Sequence, residues 1–256
     1  VAALDYYRIG YADRVHMATI SSSSEEIGYP DDNVADLNRQ TFHRPNGTGW
    51  QYLIFDFGSA QTPTMWAILN HTLKTCGISS VQLKVGSTDN GSTWDTVVHD
   101  WNPVAEASDI EKFIIISGHT KRYWMMTANV VSVHPRYGVV FIGHEAKLDE
   151  FENPEDVTED YGVAHGETAG GHADAEQVGQ YRKTVRPTAR GMSTTQRELL
   201  QTINIFQRDG LKPVCFVDIG EDEAGGECMY ARIYGPFRYR RSLEANVVEL
   251  LVRQEI

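Results

Sequence analysis

Residues 50–71 read WQYLIFDFGSAQTPTMWAILNH, and the way this stretch alternates decides the fold. From Gln51 to Gly58, the side chains of Leu53, Phe55 and Phe57 fall on one face and those of Tyr52, Ile54 and Asp56 on the other, the period of two that a strand imposes. Both faces are mostly apolar, so this strand is expected inside a sheet and not at its edge. Gly58 and Ser59 read as a sharp reversal, after which Met65 to Asn70 forms a second apolar strand. Working outward, Val81 to Val85 (VQLKV) sets Val81, Leu83 and Val85 against Gln82 and Lys84, and the Asn90-Gly91 pair that follows suits a tight hairpin. Lys112 to Ile116, Arg122 to Ala128 and Val139 to Ile142 are further strands, and Trp66 and Trp124 fall where large side chains fill a core. Many short strands with turn residues between them and hardly any helical period predict an antiparallel β-sandwich over residues 1–148.

The chain changes character after residue 148. DEFENPEDVTED, Asp149 to Asp160, holds seven acids and no base, and the following stretch adds glycine and alanine without an apolar period. A segment that repels itself and has little to bury reads as a linker, here over residues 149–180. Residues 181–256 then make a smaller α+β unit. Ser193 with Gln196 three residues on is a capping-box pattern, Leu199, Leu200, Ile203 and Phe206 recur on one face, and Gly210 and Pro213 end the helix. Strands are expected at Pro213 to Ile219, Cys228 to Tyr234 and Asn246 to Arg253, so one helix lies on a small sheet. The whole chain is mainly β.

Charge and composition exclude several roles. Of 256 residues, 35 are Asp or Glu and 23 are Lys or Arg, a net charge of −12. A phosphate-neutralising nucleic-acid binder needs the opposite balance, so no nucleic-acid partner is expected. The longest apolar runs, such as Phe113 to Ile116, fall far short of the ~18 residues of a membrane span. The opening VAALDYYRIG carries neither the basic start nor the apolar core of a secretory signal. Three cysteines at long spacings, Cys76, Cys215 and Cys228, fit neither a disulfide framework nor a zinc knuckle and read as reduced thiols.

Catalytic signatures are missing: GxSxG, HExxH, a Walker loop, GxGxxG and CxxC do not occur. The chain is therefore expected to bind and not to catalyse, with no cofactor. His165 and His172 stand near Glu167 and Asp174 in a glycine-rich stretch that reads as a solvated loop, without a metal. Phe237, Arg238, Tyr239, Arg240 and Arg241 form a strand with Phe237, Tyr239 and Arg241 on one face and Arg238 and Arg240 on the other. Guanidinium forks interleaved with aromatics suit a contact with the carboxylates of a neighbouring subunit better than stacking on nucleotides.

Taken in order, SSSSEEIGYPDDNVADLNRQTFHRP, WQYLIFDFGSAQTPTMWAILNH, SSVQLKVGSTDNGSTWDTV, KRYWMMTANV and GVVFIGHEAKL resemble the discoidin, or galactose-binding-domain-like, jelly roll over residues 1–148. The most specific piece is the strand that ends in Asp-x-Gly-Ser and leads to a strand ending in Asn-His. The version with short turns is similar to modules of bacteriophage tail proteins, and the order of elements after residue 180 resembles a small tail-tip or distal-tail module. The resemblance implies a structural component of a phage tail tip or baseplate, located in the virion tail after assembly in the host cytoplasm. Its partners are then other tail proteins and copies of itself. The alternative it implies is a carbohydrate-binding, host-recognition module for a surface glycan. For that ligand the family's loop end points to His43, Arg44 and Trp50, with Trp101 from the loop after the hairpin. A family calcium site would correspond to Asp36, Thr41 and Glu145, although Leu37 stands where the family has glycine.

Overall fold

The computed structural model describes residues 7–38, 40–87, 94–109, 111–116, 118–148, 151–152, 157–160, 163–167, 173–177, 182–190, 192–207, 212–218, 227–233, 238–241 and 246–254. They divide into two compact units, Gly10–Ala146 and a second made of Lys147–Ile256 with the N-terminal residues up to Ile9. In chain order the first strands are β1 (Tyr7–Tyr11), β2 (Thr19–Ser22), β3 (Gly49–Gln61), β4 (Met65–His71), β5 (Val81–Gly86), β6 (Thr96–Trp101), β7 (Lys112–Ile115), β8 (Lys121–Val130) and β9 (Tyr137–Leu148).

Within Gly10–Ala146, one sheet runs β2-β3-β8-β5-β6 and the other contains β9-β4-β7. Every pairing described in these sheets is antiparallel. The expected sandwich is present, and the QYLIFDFG strand lies inside its sheet, between β2 and β8. The alternation explains the core. Leu53, Phe55, Val81, Leu83, Trp124 and Met126 on one sheet face Trp66, Ile68, Val140 and Ile142 on the other, all 2 % exposed or less. Trp66 and Trp124 are both fully buried, as their positions in apolar strands predict.

One turn differs from the sequence reading. Gly58 does not reverse the chain: β3 continues through it to Gln61, with a register shift against β8 between Asp56 and Gln61. Gly58 has φ +72° and donates its N–H to Asp56 Oδ1 at 2.8 Å, so it forms a bulge, and the reversal follows at residues 62–64. Val85 pairs with Thr96 at the described end of the β5–β6 ladder, and the Asn90-Gly91 turn lies outside the described residues.

The second unit holds β10 (Phe151–Glu152), β11 (Val157–Asp160), β12 (Val163–Glu167), β13 (Ala173–Gln177), β14 (Arg182–Val185), β15 (Thr188–Arg190), α1 (Thr194–Gln207), β16 (Val214–Asp218), β17 (Glu227–Ile233), β18 (Arg238–Arg241), β19 (Asn246–Glu249) and β20 (Val252–Gln254). One sheet contains β11-β14-β20-β17-β16, another is β10-β15-β19-β18, and β12 pairs with β13. Residues 149–180, read as a linker from their acids and glycines, thus contain four short strands. Backbone pairing supplies what composition does not show, with later strands for β10 and β11 and between β12 and β13 themselves. The helix has the serine half of its expected capping box, the Gln196 N–H donating to Ser193 Oγ at 3.2 Å, while the Gln196 side chain donates through Nε2 to the Lys147 carbonyl at 3.2 Å and not back to Ser193. Its buried stripe is Leu200, Ile203 and Gln207, whereas Phe206 is 41 % exposed. At about 100° per residue, positions 200, 203 and 207 share a narrower face than the apolar count suggests. Gly210 lies outside the described residues.

Candidate functional site

The strand registers place four connections at one end of the sandwich. β3 begins at Gly49 opposite Val130, β5 begins at Val81 opposite Trp101, and β4 ends at His71 opposite Tyr137. Residues 23–48, 72–80, 102–111 and 131–136 therefore share one rim, and 23–48 is by far the longest.

That long loop is built against itself. Glu26 N–H donates to the Arg44 carbonyl at 2.8 Å, Tyr29 N–H to the Glu26 carbonyl at 2.9 Å, and Arg44 N–H to the Tyr29 carbonyl at 3.3 Å. Arg44 Nε also lies 3.1 Å from Glu26 Oε2. These contacts set Tyr29 beside Phe42, their rings stacked at 4.6 Å and 16°. Asn33 Nδ2 donates to the Phe42 carbonyl at 2.9 Å and fixes that backbone. From the neighbouring 131–136 connection, Arg136 sets its Cζ 4.9 Å from the centre of the Phe42 ring. Tyr29 and Phe42 are half-buried and Arg136 is exposed, so a stacked aromatic pair and a guanidinium stand together at the rim.

His43 holds this arrangement from beneath. It exchanges two backbone hydrogen bonds with Tyr137, at 2.9 and 3.0 Å, and its ring stacks on Tyr137 at 5.9 Å. Nδ1 lies 3.2 Å from the Tyr29 carbonyl, which can only accept, so Nδ1 carries the proton. The side chain is 1 % exposed, and burial pushes its pKa below the ordinary imidazole value although the Tyr29 carbonyl favours the charged form. A narrow depression between His43, Gln51, Tyr52 and Tyr137 has no room for a water-sized group.

The four candidate glycan contacts consequently separate. Arg44 is at the rim, paired with Glu26, and His43 is under it. Trp50, 50 % exposed, is on the outer face of the five-stranded sheet, because it alternates with the inward Gln51; Lys84 Nζ lies 5.7 Å from its ring. Trp101, 5 % exposed, belongs to the core. Its Nε1 donates to Glu106 Oε1 at 2.9 Å, Lys112 Nζ lies 2.9 Å from the same oxygen, and the His71 ring meets it edge-on at 5.5 Å. The Lys112 ammonium, then the Trp101 N–H, hold the Glu106 carboxyl below the usual carboxylate range. Asp109 secures the same loop by accepting the Lys74 N–H at 2.7 Å. Trp101 thus closes the 102–111 connection from inside.

Asp36 and Thr41 meet, with Thr41 Oγ1 donating to Asp36 Oδ2 at 2.6 Å, while Asp36 Oδ1 accepts the Asn38 N–H at 2.8 Å. Leu37 between them has φ +61°, the left-handed conformation that glycine adopts more readily than leucine. Glu145 is engaged elsewhere, its N–H donating to Thr64 Oγ1 at 2.7 Å and its charge raising the pKa of Tyr11, second to burial. Among the described residues no three His, Cys, Asp or Glu side chains are grouped to hold a metal. Of the arginine-rich stretch, Phe237 lies outside the described residues, and Arg238, Tyr239, Arg240 and Arg241 form β18 opposite Glu249, Val248, Val247 and Asn246. His165, Glu167 and Asp174 fall on the paired strands β12 and β13, and His172 is outside the described residues.

Tyr29, Phe42 and Arg136 were not singled out from sequence. The available signal was aromatic or basic residues in loops beside proline, as in Tyr29-Pro30, Phe42-His43-Arg44-Pro45 and Pro135-Arg136, away from any strand period. No helix among the described residues is long and apolar enough to cross a membrane.

No protein-family model matches the chain, and no curated protein sequence does. Solved structures are similar to it in fold. One is chitosan-binding module 1 from a chitosanase/glucanase of Paenibacillus sp. IK-5, 17 % identical, with a TM-score of 0.44, covering 52 % of this chain and 98 % of that one. A CBM32 module from Clostridium perfringens, solved with GalNAc-β-1,3-galactose, is 12 % identical with a TM-score of 0.43, over 52 % of this chain and 99 % of its own. A fucose-binding module from Streptococcus pneumoniae is 11 % identical with a TM-score of 0.42, over 52 % and 95 %. The shared feature is the β-sandwich.

Proposed function

We propose that the sandwich unit is a carbohydrate-binding module that holds a glycan on the rim at Tyr29, Phe42 and Arg136. The supporting observation is the stacked pair with the guanidinium over it. A sugar ring offers an apolar C–H face and vicinal hydroxyls; aromatic side chains suit the first and a guanidinium fork the second. An arginine already resting on a ring gives up less freedom on binding than one free in solvent. The reading is of binding without catalysis, on an open edge where a chain could continue past the contact on either side.

A glycan array probed with the full chain, followed by calorimetry on any hit, tests this. Arg136→Ala and Phe42→Ala should each weaken binding about tenfold or more, the first by loss of a charge-assisted hydrogen bond and the second by loss of the ring on which Tyr29 and Arg136 rest. Binding that survives both variants, or no binding to any arrayed glycan, overturns it.

A second reading, compatible with the first, makes the chain a structural component of a phage tail tip or baseplate in the virion, where it assembles with other tail proteins. The order of the second unit, a capped helix followed by short strands, favours it. Absence of the polypeptide from purified tails by mass spectrometry would remove that reading.

A further inference from the structure

The second unit contains a pair of sulfur atoms that the rim does not use. Cys215 on β16 stands opposite Tyr230, and Cys228 on β17 stands opposite Val217. With a strand period of two, both thiols point to the same face, one diagonal step apart. Their Sγ atoms are 2.8 Å apart, inside the ~3.5–4.0 Å of ordinary contact between carbon atoms, and the residues are 0 % and 4 % exposed. Less than an ångström of closure separates this from a bond of about 2.05 Å.

We infer that Cys215 and Cys228 are a disulfide-forming site, a redox-dependent cross-link between β16 and β17 closed by exchange with a low-molecular-weight disulfide such as oxidised glutathione. One cysteine thiolate attacks a sulfur of oxidised glutathione, forming a mixed disulfide and releasing a glutathione thiolate. The second cysteine thiolate attacks the protein sulfur of that mixed disulfide and releases the other. The protein loses two protons and two electrons, and oxidised glutathione becomes two glutathione thiols. Because both thiols are buried, the attack proceeds through local opening of the β16–β17 hairpin. The link closes a ring from residue 215 to residue 228, which restricts the unfolded chain more than the folded one. Cys76 takes no part: it lies in the sandwich, with its Sγ 3.5 Å from Thr72 Oγ1.

The test uses the full chain, incubated folded with oxidised or with reduced glutathione, then denatured and alkylated. Trypsin is unsuitable because no cleavable Lys or Arg separates the two cysteines, but a Glu-specific protease cuts between them at Glu221, Glu223 and Glu227. Mass spectrometry without reductant should find the Cys215 and Cys228 peptides joined after oxidised glutathione and separate after reduced, with Cys76 alkylated in both. The oxidised chain should melt roughly 5–10 °C higher. Cys228→Ala should leave Cys215 either alkylated or carrying a single glutathione, never joined to another peptide of the chain, and abolish the shift. Three alkylated cysteines after oxidised glutathione, a link through Cys76, or equal melting of the two forms overturns the inference, and the wild-type readouts stand even where the variant does not fold.

Discussion

Trp101 separates a core role from a ligand role, and its neighbours allow the size of the effect to be worked out. The indole is 5 % exposed, so replacing it with alanine removes a nearly complete large aromatic burial and leaves a cavity between His71 and the 102–111 loop. Such truncations cost about 3–5 kcal/mol. Trp101→Phe keeps most of the packing and removes only the Nε1–H donated to Glu106. A hydrogen bond to a charged group contributes about 1.5–3 kcal/mol. Glu106 keeps Lys112 as a partner and its side chain is 24 % exposed, so the expected cost falls to about 1 kcal/mol. Urea unfolding followed by circular dichroism measures both variants against the parent, with the slope checked for a change in cooperativity. Glycan affinity at the rim should be unchanged in Trp101→Phe. A Trp101→Ala protein within about 0.5 kcal/mol of the parent would show that the indole is not a core element, and the placement of this loop would be wrong.

His43, His99 and His144 all have pKa values pushed down, in each case first by burial. The unfolded chain therefore takes up protons near the ordinary value of about 6.5 that the folded chain refuses. Stability should be full above that pH and fall as the pH drops from it toward the lowered folded values; His43→Asn should make this decline shallower, and melting curves between pH 7.5 and 5, about the unperturbed histidine range, read it out. An unchanged slope would mean that His43 takes up its proton as readily in the folded chain as in the unfolded one. Gly143→Ala places a Cβ 2.6 Å from the Tyr11 carbonyl oxygen and 2.7 Å from Phe141 Cζ. The first of these is backbone in a sheet, so a destabilisation of about 1–3 kcal/mol is expected in the same urea assay, and a neutral result would contradict the packing of β9.

Much of the sandwich was legible because its strands carry a period that needs no distant information. Leu53, Phe55, Leu83 and Trp124 announce an inward face wherever they occur. The departures share one cause, which is dependence on a partner. Gly58 can make a turn or a bulge, and only the continued pairing of β3 with β8 selects the bulge. The strands in residues 149–180 have no apolar pattern of their own; β10 and β11 are held by β15 and β14 from later in the chain, and β12 and β13 by each other. Leu37 takes the left-handed turn that its side chain disfavours because Asp36 and Thr41 close the loop around it. Residue type alone also made Trp101 and His43 look like ligand contacts, since an aromatic ring suits a core and a sugar equally well.

By itself the sequence determined a mainly β chain with one capped helix, a net charge of −12, and a core of alternating apolar residues. Those properties follow from local periodicity and from net charge, which sum along the chain whatever the contacts. Tertiary structure alone decided which residues share a place: Tyr29, Phe42 and Arg136 at one rim, Trp101 inside it, Cys215 beside Cys228. Positions separated by tens of residues become neighbours only through strand register, and register is fixed by the burial of whole faces at once, which no short stretch contains.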